Sequence, residues 1–503
     1  MSRLHRMSAK SGTAVRPPAD FTGRDGQCRV CGQPHALRAN ARDGSSAPKP
    51  DLYAATRERA SSNFAGDSAP GGETSRAART SPQGVPKSNP PRQPRAEPDP
   101  VLTAATSARR VRLRNFIVII GPKTMTRNLC GRLLAICAVC VAVVTVSPSL
   151  SAHDSGTADA LMLRLMSTHN GPGAALALIK NGSIVLDKGY GFRDLAAHAP
   201  VTTATLFNIG SISKSFTALG VTQLVDQHQL DLDAPVLRYI PDLRLSDPQA
   251  TQAVTLRQLL SHTSGLPADE QWPQQVPATR DGIVSEFANM PITAQPGTRF
   301  QYCSRCIVLA AYVLERITDQ SWEAYTRRHI FAPLGMTMAS FGPLGLQQAP
   351  DRAQPYRNDS VLGQVPVPWN RLQYLEPLGP GGGINASVDE MARYALLQLD
   401  DGTMFGHRIL STQMMAELHR PEIDVGVDWK PAARSENLHY ALGWFTADVR
   451  GMRLVYHNGE NPGFRAAVVL APSSKAGVVV LTNGESKPFI EMTTRSLLEQ
   501  LLR

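Results

Sequence analysis

The sequence predicts an α+β fold, with an antiparallel sheet built from both ends of residues 153–503, packed with helices, and a mainly helical insertion between. Two β-prone runs joined by Asn181-Gly182 open this region, and three more follow residue 452. Helical apolar spacing and loops rich in proline and glycine fill the stretch between them. We expect a functional site where sheet and insertion meet.

Residues 1–124 have a different composition. They carry 21 Lys and Arg against 9 Asp and Glu and hold 14 of the 38 prolines, with only one short apolar run. Such a segment buries too little apolar surface to offset the entropy of ordering, so we expect it to be disordered. Its Cys28-x-x-Cys31 pair lacks a second ligand pair at the usual zinc spacing, and we assign no metal to it.

The formal net charge of +10 is unevenly distributed. Residues 1–124 carry +12, whereas residues 153–503, with 29 basic and 33 acidic side chains, carry −4. The part of the chain that is long enough to fold therefore has no basic footprint for phosphates, which excludes nucleic acid as its main partner.

Residues 125–152 have the three parts of a secretory signal peptide. Met125 and two arginines precede an apolar run of 14 residues, 133–146, which is followed by small residues up to Ala152. The run is shorter than the roughly 20 residues of a membrane-spanning helix. We expect cleavage after Ser151 or Ala152, a periplasmic or secreted protein, and only transient contact with the membrane.

An export signal that begins at residue 125 has two explanations. In the first, Met125 is the true start and residues 1–124 come from an over-long gene model. In the second, those residues form a basic cytoplasmic arm, carried on a membrane anchor, that binds other partners. Mass spectrometry of the N-terminus of the exported protein distinguishes the two.

Local patterns predict the elements of the remaining domain. Asn181-Gly182 between two β-prone runs predicts a hairpin with a type I′ turn. Apolar runs near the end of the chain predict three strands and a final helix, over 453–457, 464–470, 477–482 and about 488–502.

The first candidate for chemistry is Ser211-Ile-Ser-Lys214. Helical spacing of the apolar residues that follow places Ser211 at or just inside a helix N-terminus, whose dipole favours negative charge on the serine oxygen. Serine and lysine three apart share one face of the first turn. A partly desolvated lysine has a lowered pKa and can accept the hydroxyl proton. Taken alone, the spacing also suits an N-cap serine and a surface lysine.

The second candidate is Tyr302-Cys-Ser304, just ahead of a helical run over 307–317. A tyrosine at this position is a phenolate-type base if a nearby ammonium lowers its pKa, and otherwise a packed side chain with a hydrogen-bonded hydroxyl. Cys303 and Cys306, the two cysteines that follow residue 152, form a disulfide in an oxidising compartment or remain thiols on one helix face.

The third candidate is His457-Asn-Gly459, at the end of a predicted strand and directly before Glu460. A histidine at a strand edge can hydrogen-bond a substrate carboxylate or relay a proton, and the glycine permits close approach of a backbone.

The order of these three motifs resembles the serine β-lactamase and penicillin-binding-protein superfamily, especially the branch of class C β-lactamases, D-alanyl-D-alanine carboxypeptidases and type VIII esterases. Segments 256–267, 331–336 and 381–387 are also similar to that family, and the resemblance covers about residues 160–500. It implies the β-lactamase/transpeptidase-like fold and acyl transfer through a covalent serine ester, with no metal and no other cofactor.

The resemblance also implies roles. Ser211 is the acylated nucleophile, Lys214 its proton acceptor, and Tyr302 the group that protonates the leaving group and activates water. Ser304 matches the residue that contacts the substrate amide. The backbone N–H groups of Ser211 and Glu460 form the oxyanion hole.

Two departures from class C β-lactamases bear on substrate. Those enzymes carry Lys-Thr-Gly and Tyr-x-Asn where this chain has His457-Asn-Gly459 and Tyr302-Cys-Ser304. A histidine is largely neutral at pH 7 and a hydroxyl replaces an amide, so we do not expect strong β-lactamase activity. Glu460 either faces the cleft, where it disfavours anionic acyl groups, or points to solvent.

We therefore expect an exported serine hydrolase that cleaves an amide or ester in a small-molecule or peptide substrate, as a peptidase, an esterase or a β-lactamase. The alternative is a catalytically weak penicillin-binding-type recognition protein. The intact set of Ser211, Lys214 and Tyr302 argues against it, because a pure binder has no reason to keep all three.

Overall fold

The computed structural model describes residues 152–426 and 435–502, and it confirms the predicted α+β architecture. The predicted disordered extension, residues 1–124, and the predicted signal peptide, residues 125–152, lie outside the described residues except for Ala152. Within the two described ranges, no helix combines the length and apolar character needed to cross a membrane.

Strands of the described residues form one large sheet and three small ones. In chain order they are β1 (Gly173–Lys180), β2 (Ser183–Asp194), β3 (Ala199–Pro200), β4 (Phe207–Asn208), β5 (Ser340–Phe341), β6 (Tyr356–Asp359), β7 (Gly363–Pro366), β8 (Ile384–Ala386), β9 (Thr403–Met404), β10 (His407–Arg408), β11 (Ile423–Asp424), β12 (Ser435–Tyr440), β13 (Phe445–Val449), β14 (Met452–Asn461), β15 (Phe464–Ala471) and β16 (Ala476–Thr482).

The large sheet is antiparallel, with nine described strands in the order β11-β12-β13-β14-β15-β16-β1-β2-β3. Its interior pair joins the two ends of the domain, because Ala174 of β1 lies opposite Thr482 of β16. The prediction of a sheet built from both ends is thus confirmed.

Helices cover both faces of this sheet. They are α1 (Ala152–Thr168), α2 (Ser213–Asp226), α3 (Pro248–Ala253), α4 (Leu256–Leu260), α5 (Arg280–Glu286), α6 (Ser304–Thr318), α7 (Trp322–Thr326), α8 (Gly342–Gln348), α9 (Gly379–Gly382), α10 (Val388–Leu399), α11 (Thr412–Leu418) and α12 (Lys487–Leu501).

The alternation of side chains along β1 divides the core in two. Ala175, Ala177 and Ile179 belong to the apolar cluster shared with the helical insertion. Leu176 and Leu178 belong to a second cluster, to which α1 and α12 contribute from the opposite face. The sequence did not predict α1, which precedes the first strand and buries Met162 and Leu165.

Two local predictions have clear outcomes. Asn181 and Gly182 have φ values of 53° and 71°, as a type I′ turn requires, so the hairpin is confirmed. The strand expected at 453–457 is longer, because β14 continues to Asn461 along β15. The placement of His457 at the end of a strand was therefore wrong, since the whole His457-Asn-Gly459 motif lies within β14.

Pairing between β13 and β14 stops at Tyr456, and β14 continues past that residue to Asn461. β14 also packs against the turn formed by residues 210–212. That turn leads into α2, which packs against α6 and α9 of the insertion. The sheet and the insertion meet here, as expected, and all three motifs are at this junction.

Candidate active site

Ser211 lies in a single 3-10 turn, Gly210–Ile212, that runs directly into α2. Two hydrogen bonds of Ser213 hold this turn in place. Ser213 Oγ donates to Gly210 O at 2.7 Å and accepts from the backbone N–H of Ile384 at 3.0 Å. Ser211 itself is partly exposed. Its predicted position at the start of a helix is confirmed.

Lys214 is fully buried one turn further along. Its Nζ donates to Ser211 Oγ at 3.0 Å and to the carbonyl oxygen of Gly381 at 2.7 Å. Burial lowers the pKa of Lys214 to about 8, although the nearby Asp269 carboxylate partly opposes this shift. A substantial neutral fraction is therefore present near pH 8, and the neutral amine is placed to accept the Ser211 proton.

Tyr302 contacts both Lys214 and Ser211. Its ring centroid lies 4.7 Å from Lys214 Nζ, and its side chain hydrogen-bonds with that of Ser211. Burial raises the pKa of Tyr302 well above its usual range, and Asp269 adds to this, while the bond to Ser211 opposes it. Of the two alternatives left open by the sequence, burial favours the packed, neutral phenol in the resting site, and a neutral phenol can donate a proton.

Ser304, the first residue of α6, is hydrogen-bonded twice to one carboxylate that sequence analysis missed. Its backbone N–H donates to Asp269 Oδ1 and its Oγ to Asp269 Oδ2, both at 2.6 Å. The backbone N–H of Asp269 in turn donates to Tyr302 O at 2.8 Å. Asp269 begins a short 3-10 turn, Asp269–Gln271, whose sequence matches no catalytic pattern, so no local signal identified it.

The pKa values of Asp269 and Lys214 are both shifted by burial and by each other's charge. Burial raises the pKa of the Asp269 carboxyl, whereas Lys214 and the bonds from Ser304 act in the opposite direction. The two groups therefore influence each other's charge across the site.

Cys303 and Cys306 form a disulfide at the start of α6, which decides between the two alternatives left open by the sequence. Both are fully buried, and Cys303 is the N-cap residue of the helix. The bridge therefore lies between Tyr302 and the first turn of α6, with Ser304 inside its short loop.

His457 is 1% exposed and has both ring nitrogens engaged. Nδ1 lies 2.7 Å from Asn458 O, and Nε2 lies 3.1 Å from Tyr440 Oη. Because a carbonyl only accepts, Nδ1 carries the proton and Nε2 accepts from the tyrosine. Burial, with a contribution from Lys214, lowers the pKa of His457 to about 3. The side chain is thus neutral and its hydrogen bonds are made within the protein.

A second buried histidine, His262, lies behind Tyr302. Its ring centroid is 4.4 Å from that of Tyr302, and its Nδ1 accepts from the backbone N–H of Cys303 at 3.1 Å. Burial, then Lys214 and His457, hold its pKa well below the ordinary value. His262 therefore packs behind the site as a neutral, buried side chain.

Gly459 and Gly210 allow β14 to lie directly on the turn that carries Ser211. A Cβ at Gly459 would come 1.9 Å from Ile209 O, and one at Gly210 would come 2.5 Å from the backbone nitrogen of Glu460. The Glu460 nitrogen is thereby beside the turn of Ser211, where an oxyanion hole requires it.

The Glu460 side chain is exposed and paired with Arg465, whose Nη2 lies 2.7 Å from Oε1. Of the two orientations considered from the sequence, the exposed side chain has the one that points to solvent, where Arg465 pairs with it. Its charge is therefore largely compensated.

The structure thus brings together the side chains of Ser211, Lys214, Tyr302 and Ser304, with the backbone at Gly459 and Glu460, and places His457 behind them. Their roles stay predictions at this point. Within residues 152–426 and 435–502, no three His, Cys, Asp or Glu side chains are grouped so that they could hold a metal ion.

Comparisons with known proteins identify relatives over most of the described chain. A family model described as Beta-lactamase matches residues 158–501. Protein flp of Staphylococcus aureus (strain NCTC 8325 / PS 47) is 26% identical over 320 residues, or 63% of this chain and 60% of that protein. Penicillin-binding protein 4 of Amycolatopsis lactamdurans is 30% identical over 339 residues, or 64% of this chain and 83% of that protein.

A solved structure is also similar. The octameric penicillin-binding protein homologue from Pyrococcus abyssi aligns with a TM-score of 0.60 and 28% identity, covering 69% of this chain and 77% of that one. The similarity therefore extends to the β-lactamase/transpeptidase-like fold implied by the motifs.

Proposed function

Because the chain belongs to the β-lactamase family, we propose that it is an exported serine hydrolase that cleaves an ester or amide through an acyl intermediate on Ser211. One observation carries this proposal. Lys214 Nζ lies 3.0 Å from Ser211 Oγ, and burial lowers its pKa to about 8, which makes it a competent base for that hydroxyl.

In acylation, neutral Lys214 takes the Ser211 proton while Oγ attacks the substrate carbonyl carbon. The resulting oxyanion accepts hydrogen bonds from the backbone N–H groups of Ser211 and Glu460. As the intermediate collapses, the bond from carbon to the leaving group breaks and Tyr302 donates its proton to that group. The Lys214 ammonium then returns a proton to Tyr302, so that both residues regain their resting states.

In deacylation, water attacks the ester carbon of the acyl-serine while its proton passes to neutral Lys214, either directly or through the Tyr302 hydroxyl, which gives its own proton to the lysine as it takes the one from water. The bond to Ser211 Oγ breaks and the serine recovers its proton. Water is thus added across the original bond.

A peptidase or esterase is favoured over an efficient β-lactamase. The third motif carries a neutral, buried His457 in place of a cation, so that motif offers little attraction for a substrate carboxylate. Export is supported by the signal pattern at 125–152, and we propose a periplasmic or secreted location.

Intact-mass spectrometry of the exported protein, after exposure to a fluorophosphonate and separately to a fluorescent penicillin, tests the proposal. We expect a phosphonate adduct that maps to Ser211 and is absent from Ser211→Ala. A penicillin adduct on the same residue would favour a peptidase or β-lactamase, and labelling by the phosphonate alone an esterase. A folded protein that forms neither adduct would contradict a serine hydrolase and favour the recognition protein.

A further inference from the structure

A disulfide lies directly beside the residue that is the proposed proton donor. Cys303 and Cys306 are joined, and Cys303 follows Tyr302 in the chain. Both cysteines are fully buried. The loop closed by the bridge is very short, so it restricts the unfolded chain less than a long loop would. The bridge is therefore better suited to fixing the residues beside it than to stabilising the whole domain.

Hydrogen bonds hold the segment just ahead of α6 to another part of the insertion. The backbone N–H of Gln301 donates to His262 O at 2.8 Å, and that of Cys303 donates to His262 Nδ1 at 3.1 Å. Tyr302 O accepts from the backbone N–H of Asp269 at 2.8 Å. These three bonds hold the backbone of Tyr302 from one side, and the disulfide connects the same segment to α6 on the other.

The helix α6 begins with a sulfur where a hydroxyl or a carboxylate is the usual cap. Cys303 is the N-cap residue, and its Sγ accepts from the backbone N–H of Cys306 at 3.0 Å. Sulfur is a weak acceptor, and Ser, Thr, Asp and Asn are the preferred N-cap residues. The covalent bond between the two cysteines therefore supplies a second connection, alongside the chain itself, between the first turn of α6 and the backbone that enters it.

The first turn of α6 lies against the groups that support Lys214. The helix packs against α2, which carries Lys214, and against α9. A Cβ at Gly381 of α9 would come 3.2 Å from Ser304 O, and Gly381 O accepts from Lys214 Nζ at 2.7 Å. A bridge that fixes Tyr302 to this turn thus also fixes it relative to the lysine.

The position of Tyr302 has to be accurate because its side chain meets two catalytic partners. It hydrogen-bonds with the side chain of Ser211, and its ring centroid lies 4.7 Å from Lys214 Nζ. Proton transfer requires heavy atoms within about 3 Å of each other, and a misplacement of about 1 Å can cost roughly 100-fold in rate. A looser entry to α6 would weaken proton transfer from Tyr302 while Ser211 and Lys214 stay in place on α2 and the turn before it.

We propose that the Cys303–Cys306 disulfide positions Tyr302 for proton transfer, so that the hydrolase reaches full activity only after these two thiols are oxidised. This inference rests on the proposed serine-hydrolase function. It makes the two cysteines positioning residues, which act through Tyr302 rather than on the substrate. It also links activity to an oxidising compartment, where the proposed export would bring the protein.

Formation of the bridge is a thiol–disulfide exchange with a disulfide-containing oxidant. The thiolate of one cysteine attacks a sulfur of the oxidant, which releases one thiol and leaves a mixed disulfide. The second cysteine loses its proton and displaces the rest of the oxidant as a second thiol. The two cysteines thus lose two electrons and two protons, and the oxidant is reduced to two thiols.

The test compares oxidised and reduced protein on ethyl, phenyl and nitrophenyl esters of one acid. Because the bridge is buried, the protein is unfolded, reduced with dithiothreitol, refolded and freed of reductant under exclusion of air. Alkylation and mass spectrometry count the thiols at Cys303 and Cys306. The ratio kcat/KM is compared for each ester, because it reports the steps up to acylation.

Reduction should lower kcat/KM by about ten-fold or more for the ethyl ester, whose leaving group needs a proton, and by less than about three-fold for the nitrophenyl ester. Oxidised glutathione should restore both rates. Fluorophosphonate labelling of Ser211 verifies that reduced protein has folded, because fluoride leaves without a proton from Tyr302.

The double variant Cys303→Ser/Cys306→Ala removes the bridge without any reductant. Serine keeps an N-cap acceptor for the backbone N–H of residue 306, so the cap remains while the covalent link is lost. We expect the same selective loss on the ethyl ester and no response to reduction. The variant retains the other cysteines of the chain and so is also the control for any effect through them.

The variant Tyr302→Phe separates a positioning role from a merely structural one. In this background the bridge has no hydroxyl to position, so reduction should change kcat/KM for the ethyl ester by less than about two-fold. A structural role would lower the rates of all the esters together, and would do so in Tyr302→Phe as well.

Equal rates for oxidised and reduced protein, an equal loss on every ester, or a loss on reduction of the double variant would overturn the inference while leaving the hydrolase intact. If reduced protein fails to refold, the double variant decides in the same way. Failure of oxidised wild-type protein to hydrolyse any of the esters, together with no labelling of Ser211, would instead overturn the proposed function and this inference with it.

Discussion

On one side of the cleft, Ser304 and Asp269 are partly exposed and keep acceptor capacity, whereas on the other His457 is 1% exposed with both ring nitrogens hydrogen-bonded. Ser304 and His457 both belong to motifs that imply contact with substrate, whereas Asp269 belongs to none. The difference shows that the burial and the remaining hydrogen-bond capacity of a side chain, rather than its place in a motif, decide whether it can meet a ligand.

The residues around Ser211 also divide into those whose side chains contact it and those that lie behind them. Lys214 and Tyr302 both contact the serine side chain. His457 and His262 lie behind them and stay neutral because burial disfavours their charged forms. Two buried neutral imidazoles add no positive charge beside the lysine, so they leave its pKa to be set by its own burial and by Asp269.

Removal of the base is expected to have the largest effect. Lys214→Ala should slow acylation of Ser211 by roughly 1,000-fold or more, because it removes the amine proposed to accept the serine proton. Time-resolved labelling with a fluorophosphonate measures this rate. Lys188→Ala, which changes a lysine that pairs with Asp159 at the surface, serves as the control. A loss below about ten-fold would assign the base elsewhere.

Removal of the proton donor should have a smaller and more selective effect. Tyr302→Phe is expected to lower kcat/KM roughly 100-fold for substrates with poor leaving groups, and much less for nitrophenyl esters, whose leaving group needs no proton. Steady-state rates for a matched ester series measure this difference. Tyr312→Phe alters a tyrosine of α6 that donates to Asp281 of α5, and it is the control. Equal losses across the series would contradict a donor role for Tyr302.

The pH dependence distinguishes the lysine from the histidines. Since the neutral amine is the base, acylation should increase as pH rises through the Lys214 pKa of about 8. The neutral fraction, and with it the rate, should grow roughly 50-fold between pH 6 and pH 8. Asp269→Asn should move the midpoint to lower pH, because the carboxylate raises the pKa of Lys214. An acylation rate that stays level through this range would contradict Lys214 as the base.

The smallest effect on rate is expected on the buried side of the cleft. His457→Ala should lower ester turnover less than ten-fold and should change substrate preference more than it lowers turnover. It should also lower the free energy of unfolding by about 1–3 kcal/mol, because the buried Tyr440 hydroxyl loses its acceptor. Chemical denaturation and ester kinetics measure the two quantities. Tyr440→Phe combined with His457→Ala completes a double-mutant cycle, in which additive losses would argue against this bond.

Much of the fold was predictable because its signals are local. Asn181-Gly182 specifies a turn by backbone conformation, and Ser211 and Lys214 are one helical turn apart. Asp269 was not predictable, since it lies in a short 3-10 turn without a recognisable motif and its partner Ser304 is 35 residues away in the chain. The burial of His457 was not predictable either, because Tyr440 on a neighbouring part of the sheet supplies its partner.

The pairing of β1 with β16 has a consequence for how the molecule is made. Ala174 and Thr482 are neighbours in the sheet although about 300 residues separate them in the chain, so the β1–β2 hairpin has an open edge until the last strand is synthesised. Pairings of such long range form slowly. During that interval the edge is available to other chains, and β14 and β15, the first of which carries the backbone of Glu460, are not yet joined to the β1–β2 hairpin. Newly made protein should therefore gain hydrolytic activity late, in step with closure of the sheet rather than with formation of the helix that carries Lys214.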